Sequence, residues 1–176
     1  GCRNYFHPSN FTAFAITGFG VATVSRTSAS SAAPGCGRMM ILHVTASSSN
    51  LYQSWEVVDP EKWVPHDYVC VRVDSRGAGC SPGFIDHFSP RETKDFYDSI
   101  EWAGAQPWSN GKVGLNGISY YGINQWHVAS LQPPHLAAMC VWEGAADWYR
   151  DMTHHGGMLS TFWENWYDVQ VKTVQY

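Results

Sequence analysis

No apolar run in these 176 residues approaches the ~20 that a membrane-spanning helix requires, so the chain is not read as crossing a bilayer. Charge is scarce as well. Only 15% of residues are Asp, Glu, Lys or Arg, the net charge is −4, and no basic stretch offers a track for nucleic acid. Five cysteines, Cys2, Cys36, Cys70, Cys80 and Cys140, show no C-x-x-C spacing, which points away from paired-thiol redox or metal sites. Cys70 and Cys140 fall in apolar runs and are expected as small buried hydrophobes. Internal repeats and long runs of like charge are absent too. What the chain has in quantity is apolar and aromatic surface: 44% hydrophobic residues and nine tryptophans, enough for the core of one domain.

Its organisation reads as strands alternating with helices. Tyr68-Val69-Cys70-Val71-Arg72-Val73 is a largely β-branched run, suited to an interior parallel strand. It runs straight into Asp74-Ser75-Arg76-Gly77-Ala78-Gly79-Cys80-Ser81-Pro82-Gly83, where three glycines and a proline end it at the sheet edge that binds ligands. Ser89-Pro90-Arg91-Glu92 then supplies a capping serine, a proline at the first helical position and a glutamate three residues after the cap. The helix so predicted carries Phe96, Ile100 and Ala103 on its inner face and ends at Pro107 and Ser109-Asn110-Gly111. A short apolar run at 112–116, a helix-like run at 121–131, the break at Pro133-Pro134 and an apolar strand at 136–142 complete the order strand, helix, strand, helix, strand. That order implies an α/β protein with a parallel sheet.

The candidate chemistry lies at Gly117-Ile118-Ser119-Tyr120-Tyr121-Gly122, between the second of these strands and the helix after it. A serine on such a sharp turn projects its hydroxyl above the sheet edge, and the next backbone N–H, that of Tyr120, points where an oxyanion would form in acyl transfer. On the hexapeptide alone an ordinary glycine-flanked loop fits as well, so the context must decide.

Together, Asp74 to Gly79, the hexapeptide Gly117 to Gly122, and the flanking segments 55–65 and 143–150 resemble the cocaine-esterase/NonD-type and Xaa-Pro dipeptidyl-peptidase branch of the α/β-hydrolases. Tyr120 after the serine, and glycine at the third following position in place of the second, are the marks of that branch. The resemblance covers roughly residues 44–176. It implies a partial α/β-hydrolase fold: a parallel sheet with flanking helices over residues 44–147, the start of a helical cap over 148–176, and residues 1–43 unassigned. It also implies a serine hydrolase that cleaves an ester or amide (acyl-peptide type) bond through an acyl-enzyme, with Ser119 as nucleophile and the Tyr120 N–H as one oxyanion donor. The partner implied is a small ester, amide or short peptide, with no cofactor and no metal. By the same resemblance Asp74, Arg76, Gly77, Gly79, Gly117 and Gly122 form the structural motif. Trp148, His154 and Trp166 are weaker candidates for lining the substrate site, because the start of the cap frames the acyl pocket.

A serine needs a histidine base oriented by a carboxylate, and 57 residues follow Ser119. Asp147 or Asp151 with His154 or His155 satisfies the order acid then histidine, yet the family draws both from loops beyond its cap. They are therefore expected past Tyr176, and neither His154 nor His155 is expected at the Ser119 hydroxyl. The family's second oxyanion donor, a tyrosine after proline, matches no residue here, since Tyr5 and Tyr52 have other neighbours. Adjacent histidines on a helix point about a third of a turn apart, which argues against a metal held by His154 and His155. Asp74 and Arg76 are expected to brace loops rather than to react. The aromatic residues Trp142, Trp148, Tyr149, Phe162, Trp163, Trp166 and Tyr167 are expected mainly to pack the cap.

The chain opens on glycine rather than methionine, which suggests a fragment or a processed product. Residues 11–24 are apolar and precede a serine- and alanine-rich stretch at 25–33, as in a secretory signal; an unrelated or misspliced segment explains them equally well. Localisation stays open in the sequence: a cytoplasmic protein is the expectation, and a secreted one if that run is a signal. Two functions remain: a serine hydrolase whose nucleophile lies in this chain, or a non-catalytic truncated or misassembled product lacking the acid, base and oxyanion tyrosine.

Overall fold

The computed structural model describes residues 13–15, 21–25, 40–45, 56, 58, 60–63, 66, 68–78 and 81–173, the first three segments as backbone alone. Strand β4 (Val69–Asp74) sits inside a six-stranded sheet. On one side it pairs antiparallel with β2 (Val21–Ser25), which in turn pairs antiparallel with β1 (Ala13–Ala15) at the sheet edge. On the other side it pairs parallel with β3 (Met40–Thr45), with Thr45 opposite Asp74. Parallel pairing continues from β3 to β5 (Val113–Ile118) and from β5 to β6 (Leu136–Trp142), giving the order β1-β2-β4-β3-β5-β6.

The parallel half agrees with the sequence reading, and β6 has the bounds expected for it. The division at residue 43/44 falls inside β3. This strand is apolar enough, Met-Ile-Leu-His-Val-Thr, to lie in the interior, and it separates β4 from β5. The antiparallel pair β1 and β2 extends the sheet beyond the parallel strands expected.

Side chains of β4 alternate across the sheet. Val71 faces a core made with Val113 and Leu115 of β5, Phe96, Ile100 and Ala103 of α2 (Pro90–Gly104) and Val128 of α3 (Tyr120–Ser130). Cys70 faces the other way, packing with Val58, Trp63 and Tyr68 beside α1 (Pro60–Trp63). Each of the larger apolar side chains stabilises the fold by about 1.5–3 kcal/mol on burial. Ser89 caps α2 as expected, its hydroxyl accepting from Glu92 N–H at 3.1 Å. At the other end of α2, Glu101 holds His135 just before β6, through His135 N–H at 3.0 Å and the ring Nδ1 at 2.7 Å.

One core expectation is corrected. Cys70 is buried, but Cys140 is exposed. It lies on β6, where Ala138 and Trp142, at alternate positions on the same face, are exposed with it and no described element covers that face. A strand pattern reveals that a residue is apolar; burial needs a neighbour.

After β6 the chain forms a π-helical turn (Trp148–Thr153), a two-residue hairpin of β7 (His154–His155) and β8 (Met158–Leu159), and α4 (Phe162–Trp166), which continues as a second π-helical turn (Tyr167–Val171). Helical structure thus begins at Trp148, with a hairpin the sequence did not signal.

Candidate active site

Ser119 occupies the one-residue turn between β5 and α3, at φ 59° and ψ −116°. For a residue with a Cβ this is a strained backbone, costing on the order of 1–3 kcal/mol, and such strain persists only where surrounding contacts impose it. Those contacts are present. Ser119 N–H donates to Trp142 O at the end of β6 (3.0 Å), and its carbonyl accepts from Gly122 N–H and Ile123 N–H, both at 2.9 Å. The two glycines are required by close approach. A Cβ on Gly117 would stand 2.4 Å from Tyr121 Cβ, and one on Gly122 would stand 2.7 Å from Trp142 O. Glycine at the third position after the serine is therefore where the helix presses on β6, while Tyr121 at the second position packs over Gly117. The Tyr120 N–H is the first amide of α3, one of those that intrahelical bonding leaves open.

Around the turn the loops are braced. Arg76 forms a two-pronged ion pair with Asp95 of α2, Nε to Oδ2 at 2.9 Å and Nη2 to Oδ1 at 2.8 Å, which raises its pKa further. Ser81 Oγ donates to Asp74 O at 2.8 Å, Gly77 N–H donates to Ser81 O at 3.1 Å, and Asp74 itself is buried at 2% exposure. These contacts fit a bracing role for Asp74, Arg76 and Gly77. Gly79 lies outside the described residues.

Glu92 does something the sequence did not show. Its carboxylate does not return to the Ser89 N–H, which donates to Asp86 O instead. It accepts from Phe88 N–H at 2.7 Å and from the Tyr120 hydroxyl at 2.6 and 2.8 Å, with Ser75 Oγ at 3.5 Å. Burial pushes the Glu92 carboxyl above the usual carboxylate range, against the hydrogen bonds that favour its charge. Burial, then the adjacent Glu92, pushes the Tyr120 phenol far above its ordinary value, so Tyr120 stays protonated and donates. Glu92 and Tyr120 are 28 positions apart, and no local pattern joins them.

A cavity of about 340 Å³ opens over the turn. Ser119, Tyr120 and Tyr121 form its floor, Ser75, His87 and Phe88 one wall, and Phe162, Trp163 and Trp166 of α4 another. The arrangement places an exposed serine hydroxyl and an open amide beneath an aromatic-walled chamber.

The sequence profile of the X-Pro dipeptidyl-peptidase (S15) family matches residues 27–176. The chain belongs to this family. Cocaine esterase of Rhodococcus sp. (strain MB1 Bresler) is 35% identical over 101 residues, 56% of this chain and 17% of the esterase. A CocE/NonD family hydrolase from Staphylococcus aureus superposes with a TM-score of 0.76 at 35% identity, covering 90% of this chain and 31% of that one. An α-amino acid ester hydrolase matches at a TM-score of 0.53 and 18% identity over 76% of this chain and 24% of that one, a likeness of fold alone. The S15 chain described here therefore spans under a third of the relatives it matches. Its fold is a partial α/β-hydrolase fold.

Within this S15 domain the three weaker pocket candidates part company. Trp166 lines the cavity. Trp148 stands behind it, against Phe88 (ring centroids 4.5 Å apart) and Trp163 (5.7 Å). His154 is elsewhere, stacked on Tyr149 at 4.3 Å with Nδ1 at Thr153 Oγ1 (2.9 Å). His155 Nε2 bonds Asp151 O, and Asp151 Oδ2 accepts from the Ala146 and Asp147 N–H groups. Neither histidine hydrogen-bonds Ser119, so the local Asp/His pairing does not assemble at the turn. The described residues hold no cluster of three or more His, Cys, Asp or Glu placed for a metal, and no helix long and apolar enough to cross a membrane.

Two other histidines pack against the aromatic residues that follow β6. His87 packs on Trp166 (5.5 Å) and Tyr167 (5.4 Å), and His127 lies near Trp148 (6.3 Å). Burial lowers both pKa values, with Asp86 partly opposing it at His87. A lowered histidine pKa means the fold favours the neutral ring. Its contribution is complete above the unfolded value, about 6.5, and is lost as pH falls through the lower folded value. Acidification from about pH 7.5 to 5 should therefore loosen these aromatics, seen as a red shift in tryptophan emission. The shift should shrink in the His87→Gln/His127→Gln variant; an undiminished shift would place the acid sensitivity elsewhere.

Proposed function

We propose that the protein carrying this chain is a serine hydrolase that cleaves a small ester, amide or acyl-peptide bond through an acyl-enzyme on Ser119. The strained backbone of Ser119 carries this reading, since it holds a hydroxyl at the cavity floor beside the open Tyr120 N–H. Attack by Oγ on the substrate carbonyl carbon, with loss of the hydroxyl proton to a base, forms a tetrahedral oxyanion. The Tyr120 N–H stabilises it, the alcohol or amine leaves, and water later releases the acid. Support for the bond class comes from the family, described by its peptidase activity, and from the esterase among its relatives.

The acid and base belong, in this proposal, to residues outside the 176. The rings of His135, His154 and His155 are engaged in hydrogen bonds with Glu101, Thr153 and Asp151. By itself the chain is then non-catalytic. Assayed on an activated aryl ester, the full-length protein should exceed the isolated 176-residue chain by at least about 10³-fold, the scale of losing triad members. Turnover by the isolated chain that depends on Ser119 would show a working base within it and overturn this assignment.

A further inference from the structure

We infer that Glu92 is a positioning residue for the oxyanion donor at Tyr120, a role that rests on the proposed acyl transfer at Ser119. Glu92, Phe88 and Tyr120 close into a ring of mutual contacts. Both carboxylate oxygens of Glu92 accept from its hydroxyl, at 2.6 and 2.8 Å. The same carboxylate accepts Phe88 N–H at 2.7 Å. The Phe88 ring lies on the Tyr120 ring, centroids 4.2 Å apart, with Trp166 stacked on Tyr120 at 6.1 Å. Phe88 is itself held at φ 57°, a left-handed backbone that a bulky residue adopts only under constraint. Tyr120 is thus gripped at its hydroxyl by Glu92 and at its face by a residue that Glu92 also holds.

The consequence falls on the peptide between Ser119 and Tyr120. Its upstream side is fixed by the Ser119 N–H bond to Trp142 O, and its downstream side by the clamped Tyr120 side chain. The Tyr120 N–H lies between these anchors. An oxyanion donor is effective because its direction is set before charge develops, and small misplacements cost rate without costing substrate binding. Glu92 acts through Tyr120 and does not act on the substrate. A carboxylate suits the position because it accepts from the phenol and the Phe88 amide together. An amide side chain keeps one acceptor oxygen, uncharged, and sets an NH2 donor where the second carboxylate oxygen accepts from the phenol, so it holds Tyr120 less firmly.

The test uses the full-length protein and an activated aryl ester, with Ser119→Ala as control. Glu92→Ala should lower kcat by about 10- to 100-fold, less than outright loss of an oxyanion donor, with KM changed by less than about threefold. Glu92→Gln should recover a large part of that loss, since it keeps one acceptor for the phenol. Tyr120→Phe should reproduce most of the Glu92→Ala effect, and the double variant should be no slower than Glu92→Ala, because both changes remove one contact. Near-UV circular dichroism checks the fold; if Glu92→Ala does not fold, the Glu92→Gln and Tyr120→Phe pair decides the question by the same kcat and KM split. Turnover that depends on Ser119 yet varies by less than about threefold across these variants, or effects of Glu92 and Tyr120 that multiply, would overturn the positioning role alone. Turnover that survives Ser119→Ala would remove the proposed reaction, and the positioning role with it.

Discussion

Replacing Ser119 by alanine in the full-length protein should lower ester turnover by at least about 10⁴-fold, with the fold intact. Loss of the nucleophile in a serine hydrolase leaves only what the oxyanion donors and substrate binding supply. The alanine keeps the same backbone restriction and loses only an exposed hydroxyl, so its stability should match the parent. Glycine at the same position separates strain from chemistry. At φ 59° and ψ −116° a Cβ is unfavourable, so Ser119→Gly should be equally inactive and more stable, by about 1 kcal/mol. Thermal melts and steady-state rates on the three proteins check both halves. Glycine that destabilises would mean the turn is not strained.

The second large effect is structural. Alanine at Gly117 puts a methyl carbon 2.4 Å from Tyr121 Cβ and 2.8 Å from Tyr121 O, and alanine at Gly122 puts one 2.7 Å from Trp142 O. Much of the opposition is backbone, which cannot swing aside as a flexible side chain would. Overpacking of this kind costs about 1–3 kcal/mol and at times more. In α3 the alanine also gains about 1 kcal/mol of helix propensity, so Gly122→Ala should be the milder of the two. Urea midpoints should fall for both, with Gly117→Ala nearer 3 kcal/mol, and activity should fall further than stability because α3 must move relative to β5 and β6. A Gly117→Ala variant as stable and active as the parent would contradict the packing described.

Much of this could be read from the residues. The serine at 89 and proline at 90 mark the start of α2, the apolar run at 136–142 is β6, and glycines at 117 and 122 bracket the turn, because caps, breakers and close approach leave local signatures. Mutual packing of Trp148, Trp163 and Trp166 was legible, although only the last two reach the cavity. What escaped depends on neighbours distant in the chain. Strands β1 and β2 lie within an apolar stretch with no strand signature of its own, and they are defined by the pairing of β2 with β4 and of β1 with β2. Cys140 needed knowledge of what covers β6. Glu92 looked like a capping glutamate because its spacing from Ser89 is right, whereas its partner Tyr120 is set by how α2 packs beside the turn. His154 is a pocket candidate only because the resemblance puts the start of the cap around the acyl pocket, and its stacking on Tyr149 takes it elsewhere.

The most direct test of Ser119 as nucleophile is to treat the full-length protein with a fluorophosphonate and locate the adduct by peptide mass spectrometry. A single phosphonylated site at Ser119, absent from the Ser119→Ala protein, is the result expected. An adduct on another residue, or labelling undiminished by that substitution, would contradict it.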